Sequence, residues 1–224
     1  MGIQTTATKM FLKLDEEKRE RVLSAAINEF ADKNYNNASM NVVVKAAGIS
    51  KGALFKYFRS KAGLFGFVYK MALGRVKDYL KQVRDESEAE DFFMRLEKVM
   101  LAGLDFICAH PGLAAIYYRI VFTGDSQYKR EIVAEVHRES LAFIKSLIQK
   151  GIERGELRSD LNPELSAFMV EAVVDRFVHV HHAQFRALHD SENRLSRMAT
   201  HREIEGIMKI LKCGMTPSVV TERQ

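Results

Sequence analysis

An all-α fold of about nine helices is predicted from three features of the sequence. Apolar residues recur at three- and four-residue spacing over most of the chain. Strand-like alternation is missing, and only three prolines (Pro111, Pro163 and Pro217) and few Gly-rich turns break the pattern. Residues whose side chains accept from free helix N–H groups stand in front of the apolar runs: Asp15, Ser39, Ser50, Ser60 and Asn162.

Residues 1–14 carry little pattern and read as a flexible arm, with Lys9 and Lys13 as its cations. Asp15 opens the first helix, and Glu16 and Glu17 suit the positive end of its dipole. Val22, Leu23, Ala26, Ile27 and Phe30 form the apolar face, and the helix is expected to end near Lys33. Asn34-Tyr35-Asn36-Asn37 is a turn-rich link. Met40, Val43, Val44 and Ala47 fall on one face of a second helix capped by Ser39, and Gly48 follows where a left-handed residue commonly ends a helix. Ile49 plugs the turn. Ser50 caps a third helix in which Leu54 and Phe58 point inward, while Phe55 is expected in the core. Two helices joined by a short Gly-containing turn form a helix-turn-helix, whose second helix fits the major groove of DNA.

The fourth helix starts after Ser60 and runs to about Arg84, tying this head to the rest of the chain. The next is expected from about Ala89 to Ala109, then one from Gly112 to Phe122 with Pro111 at its first turn. A helix from about Gln127 to Arg154 ends at Gly155, and the eighth covers about Pro163 to Leu188. Residues 189–200 read as a polar loop, and Ile204, Ile207, Met208 and Leu211 mark the ninth. The expected division is a helix-turn-helix domain over 15–61, a helical ligand-binding and dimerisation domain over 62–216, and a flexible tail over 217–224.

Charge supports the nucleic-acid reading. The formal net charge is +5, and residues 1–70 hold twelve bases and six acids (+6) against twenty-two and twenty-three (−1) in the remainder. Between Asp32 and Asp78 there is no acid, yet nine bases: Lys33, Lys45, Lys51, Lys56, Arg59, Lys61, Lys70, Arg75 and Lys77. A one-sign surface suits a polyanion, because each neutralised phosphate releases condensed counterions. Cys108 and Cys213 lack metal-type spacing and fit a reducing compartment. With no signal peptide and no run of ~18 apolar residues, a cytoplasmic, non-membrane protein is expected.

Val22-Leu23-x-Ala25-Ala26-x-x-x-Phe30, Tyr35, and Ala46-Ala47-Gly48-Ile49-Ser50-Lys51-Gly52-Ala53-Leu54-Phe55-x-Tyr57-Phe58-x-Ser60-Lys61-x-x-Leu64-Phe65 closely resemble the DNA-binding signature of the tetracycline-repressor (TetR) family of bacterial transcription regulators. Residues 71–224 match only in architecture and in the Gly155-Glu156-Leu157 loop. The resemblance implies a nine-helix homodimer on a palindromic operator, paired through its eighth and ninth helices. It also implies a pocket for an unidentified small-molecule effector within helices five to eight, whose occupation tilts the fourth helix.

Site candidates follow from chemistry and from that resemblance. Lys51 and Lys56 are placed at base edges or nearby phosphates, since a lysine donates to guanine O6 and N7. Gly52 and Ala53 are small enough for close approach, and Ser50 sits at the helix start. Tyr57 and Lys61 are read as phosphate clamps, with Ser39 and Lys45 adding phosphate contacts. Candidate pocket residues are Met100, Gly103, Leu104, Ile107, Tyr117, Val121, Phe143, Val173 and Phe177, and their apolar character implies an apolar or aromatic ligand. No cofactor or metal is expected: His179, His181 and His182 lack the Cys or carboxylate partners that complete a tetrahedral site. Phosphate-loop, dinucleotide, zinc-protease and nucleophile-elbow motifs are absent, which argues against an enzyme. A DNA-binding architectural protein without an effector is the alternative.

Overall fold

The computed structural model describes residues 7–120, 129–187 and 193–217. Among them it holds ten helices and no strand: α1 (Lys9–Leu12), α2 (Glu16–Asn37), α3 (Met40–Ala47), α4 (Lys51–Phe58), α5 (Lys61–Glu86), α6 (Phe92–Ala109), α7 (Pro111–Tyr118), α8 (Lys129–Glu153), α9 (Pro163–Ala187) and α10 (Asn193–Met215). The all-α class holds, with an N-terminal helix-turn-helix followed by a helical C-terminal part. No single described helix is long and apolar enough to cross a membrane.

The chain divides into two compact units, Met1–Lys77 with His110–Ala134, and Asp78–Ala109 with Glu135–Gln224. The first, here the head, is larger than the expected 15–61. Its core takes in Leu64, Phe65 and Val68 of α5, and also Leu113 and Ile116 of α7. Gly112 marks how tightly α7 approaches α2, since a Cβ there would meet Cγ2 of Ile27 at 2.7 Å. The second unit, the body, packs α6, α8, α9 and α10 around residues such as Phe92, Met100, Ile148, Val170, Ile204 and Met208.

Several caps form as the sequence dictates. Asp15 accepts from the Lys18 N–H at 2.8 Å, Ser50 from Ala53 at 3.1 Å, Ser60 from Gly63 at 3.0 Å and Asn162 from Leu165 at 2.9 Å. Helix α2 breaks at Asn34 (φ 61°, ψ 178°), where the turn-rich link begins. In the body, Glu156 of the Gly155-Glu156-Leu157 loop accepts from the Phe92 N–H at 2.8 Å and so caps α6. Gly155 itself adopts φ 71°.

Three expectations are corrected. From Ala7 on, the arm is part of the fold: Phe11 is fully buried and α1 is helical, because its ring packs against Phe58 (4.6 Å between centroids) and Phe67 (5.5 Å). Ser39 makes no side-chain cap; its own N–H donates to the Glu29 carboxylate instead, at 2.7 Å. Finally, α10 begins at Asn193 and not after residue 200. Thr200 and Ile204, one turn apart, are both buried, so the polar residues upstream belong to a helix and not to a loop. Val121, His189 and residues 218–224 lie outside the described residues, as does the side chain of His182.

Candidate nucleic-acid interface

The turn between α3 and α4 is set by Gly48 at φ 65°, with the Ile49 N–H returning to the Val44 carbonyl at 3.1 Å. Val43 and Ala47 of α3 and Leu54, Tyr57 and Phe58 of α4 are buried. This anchors α4 by one seam and leaves its other faces in solvent. Exposed there are Ser50, Lys51, Gly52, Phe55, Lys56 and Arg59, while Ala53 is half-buried. Lys45 is exposed on α3. Lys33, Lys45, Lys51, Lys56 and Arg59 have no carboxylate partner among the described residues, so their charge is available to an external anion.

The C-terminal end of α4 is held from two sides. Arg59 adopts φ 62°, ψ −36°, and its N–H donates to the Phe55 carbonyl at 2.8 Å. Carbonyls in the last turn of a helix lack partners within it. Here Thr8 supplies two: its N–H donates to the Tyr57 carbonyl at 2.9 Å and its hydroxyl to the Lys56 carbonyl at 3.1 Å. Gly63 closes the junction to α5, since a Cβ there would lie 2.1 Å from the Phe58 carbonyl oxygen.

Two aromatic assignments are corrected. Tyr57, expected as a phosphate clamp, is only 7% exposed, with its ring 5.8 Å from that of Phe11. Docking of α1 covers it. Phe55, expected in the core, is 37% exposed. The seam Leu54–Tyr57–Phe58 has i, i+3, i+4 spacing, and position 55 lies off it; that spacing was the available signal.

Lys61 is tethered inside the head and is not simply presented outward. Its Nζ donates to the Asn36 carbonyl at 2.9 Å and lies 5.2 Å from the Tyr35 ring centroid. Burial lowers its pKa below the usual lysine value, and the charge of Glu29 opposes that shift. Thr8, Phe11 and Glu29 are the positioning residues that sequence reasoning missed.

The described candidate pocket residues are divided between the two units. Met100, Leu104 and Phe177 belong to the buried core of the body, and Phe143 packs beside it with the Arg84 guanidinium 5.9 Å from its ring. Gly103 and Ile107 are half-buried on α6. Tyr117 belongs to the head unit. Val173 is corrected: at 38% exposure it lies on the surface of α9. A cleft in the head, lined by Phe30, Tyr35, Phe65, Ile116, Arg119 and Ile120 among others, encloses about 10 Å³, room for about one water and not for a ligand. Among the described residues no group of three His, Cys, Asp or Glu side chains is arranged to hold a metal. His181 instead joins α9 to α10, with Nδ1 2.8 Å from the Phe177 carbonyl and Nε2 2.7 Å from the Glu203 carboxylate.

Comparison with known proteins agrees with this geometry. Residues 22–66 match the family described as "Bacterial regulatory proteins, tetR family", and residues 90–216 match "Tetracyclin repressor-like, C-terminal domain". An uncharacterized HTH-type transcriptional regulator of Bacillus subtilis, YhgD, is 26% identical over 154 residues, covering 69% of this chain and 78% of the relative. A TetR family regulator from Chloroflexus aurantiacus superposes with a TM-score of 0.71 at 26% identity, covering 95% of this chain and all of that one. The Bacillus subtilis regulator FadR, solved in complex with stearoyl-CoA, shares the fold (TM-score 0.67, 16% identity, 87% of this chain and 98% of that one). The second matched region alone spans more than half of the chain, and the chain therefore belongs to the TetR family of transcriptional regulators.

Proposed function

We propose that this protein is a homodimeric repressor that sets α4 of each subunit in the major groove of a palindromic operator and is released by a small apolar effector. The observation that carries the reading is the exposed, unpaired set Lys45, Lys51, Lys56 and Arg59 around a rigidly anchored α4. Lys51 and Lys56 address base edges and nearby phosphates, Lys45 and Arg59 address phosphates, and Gly52 and Ala53 permit close approach. Ser50 acts through its cap, which fixes the start of α4. Lys61 and Ser39 contribute mainly by holding α2, α3 and α5 together.

Dimerisation is assigned to α9 and α10. Leu165, Phe168, Met169 and Val173 stand at i, i+3, i+4 and i+8 on α9 and are 60%, 58%, 54% and 38% exposed. Ile210 on α10 is 75% exposed. A contiguous apolar stripe of this kind on a water-facing helix is the mark of an interface, and a second copy offers the same surface. A two-fold dimer matches the symmetry of a palindromic operator, whose half-sites lie about 34–36 Å, or a multiple of it, apart.

The effector is assigned to the body, where the Phe- and Met-rich interior of α6, α8 and α9 provides an adaptable apolar lining including Met100, Leu104 and Phe177. FadR with stearoyl-CoA makes a long-chain acyl-CoA the first probe. We place the protein in the cytoplasm, where its operator is. Selection of duplexes from a random pool by the full chain, followed by release assays with stearoyl-CoA and with aromatic compounds, tests the reading. An inverted repeat released by one of these classes is expected. Failure to enrich any sequence refutes it.

A further inference from the structure

We propose that Phe55 reads the C5 methyl of a thymine in the operator, as a specificity-determining residue between the cationic positions of α4. The inference rests on the DNA-binding reading above and adds a base preference to it. Phe55 is 37% exposed, while the inward seam is completed without it by Leu54 (1%), Tyr57 (7%) and Phe58 (1%). Exposed Gly52, Lys51 and Arg59 stand three and four residues from it, the spacing that shares a helix face, and exposed Lys56 follows it in sequence. An exposed aromatic ring on a short helix that also presents unpaired cations is poorly placed for another protein's apolar face but well placed for a polyanion that also offers apolar groups. In the major groove the thymine methyl is such a group. Phenylalanine has no hydroxyl, so a hydrogen bond to phosphate is not open to it.

Gly52 supports the same conclusion independently. A Cβ at this position would meet nothing closer than Ser50 Oγ at 4.0 Å, so no intramolecular contact requires glycine. A glycine within a helix is less favourable than alanine. Its bareness therefore serves something outside the chain. Helical side chains lean toward the preceding turn, which for Phe55 is the turn that holds Lys51 and Gly52. Bare backbone beside the ring makes a shallow apolar step flanked by lysines, with room for a methyl group.

The test takes a duplex selected by the full chain and replaces each thymine in turn by deoxyuridine, which removes only the methyl. Binding is read by fluorescence anisotropy at fixed salt, for the native chain and for Phe55→Ala and Phe55→Leu, with helicity checked by circular dichroism. One thymine per half-site should weaken native binding roughly threefold to fivefold when demethylated, as expected for one buried methyl. Phe55→Ala should bind both forms equally, and Phe55→Leu should keep part of the difference. The inference is overturned if every deoxyuridine duplex binds the native chain as tightly as its parent, or if Phe55→Ala keeps the full discrimination. Salt-sensitive binding without methyl discrimination would overturn this inference alone and leave the regulator reading standing. Absence of any selected duplex would overturn both.

Discussion

Glu29 ties two helices together through a single side chain. It lies on α2, is 8% exposed, and accepts the N–H of Ser39 at the start of α3. Charge-assisted bonds of this kind are worth more than neutral ones, and removing the acceptor strands a partly buried donor. Glu29→Ala is expected to lower unfolding stability by about 2 kcal/mol in urea titrations. Glu29→Gln, whose amide oxygen accepts the same bond, should recover a large part of it.

His110 gives a pH dependence. Burial disfavours its charged form, and the Arg75 charge adds to the effect, so its folded pKa lies below the usual 6.5. The unfolded chain therefore takes up its proton first as pH falls. Stability is full above the unfolded value and declines as pH drops below about 6.5 toward the folded value. The urea midpoint should fall between pH 7.5 and 5.5, and His110→Gln should flatten that portion. Glu88 and Glu164, lowered chiefly by hydrogen bonds from Lys150 and Lys145, act only in more acidic solution.

At this scale the sequence showed what is local. Asp15, Ser50, Ser60 and Asn162 cap because the donor is three residues away. Ser39 makes no side-chain cap, and the partner its own N–H finds is Glu29, ten residues back and a helix away. Tyr57 was misplaced for a similar reason: what covers it is Phe11, far off in sequence.

Among the elements, α1 has the largest effect for its length. Four residues of helix bury Phe11 completely, and Thr8 satisfies two carbonyls at the end of α4. Phe11→Ala should cost about 3–5 kcal/mol, the range for a large buried aromatic, and thermal unfolding would show it. Thr8→Val, which spares the ring but removes the hydroxyl donor, should leave most of that stability while weakening the hold on α4. The helix-turn-helix itself was legible, because Gly48 and the cap at Ser50 are short-range signals. The docking of α1 was not, since a few residues without periodicity give no sign of where they land. The start of α10 was masked by the polar run from His189 to Arg194, although Leu195, Met198 and Ala199 already stand at i, i+3 and i+4.

For the whole molecule, composition already separated a basic front from a neutral remainder, and the structure divides the chain into two units. The boundary was not legible, because 110–134 joins the head through contacts far apart in sequence. The resemblance already implied pairing through this helix, and burial shows Leu165, Phe168 and Met169 of its apolar stripe facing water in a single subunit. Phe168→Arg is expected to shift sedimentation from dimer to monomer at micromolar concentration with helix content unchanged. A native chain that sediments as a monomer would remove the dimer from the account.

The central claim is that unpaired cations on α4 meet DNA. The dissociation constant for a selected palindromic duplex, measured from about 50 to 200 mM salt for the native chain and for Lys51→Ala/Lys56→Ala, tests it most directly. The account predicts a steep loss of affinity with salt for the native chain. It further predicts a double variant that folds normally, binds more weakly and has a slope smaller by about one for each lysine that meets a phosphate. Native binding indifferent to salt, or a folded double variant that binds as the native chain does, would contradict it.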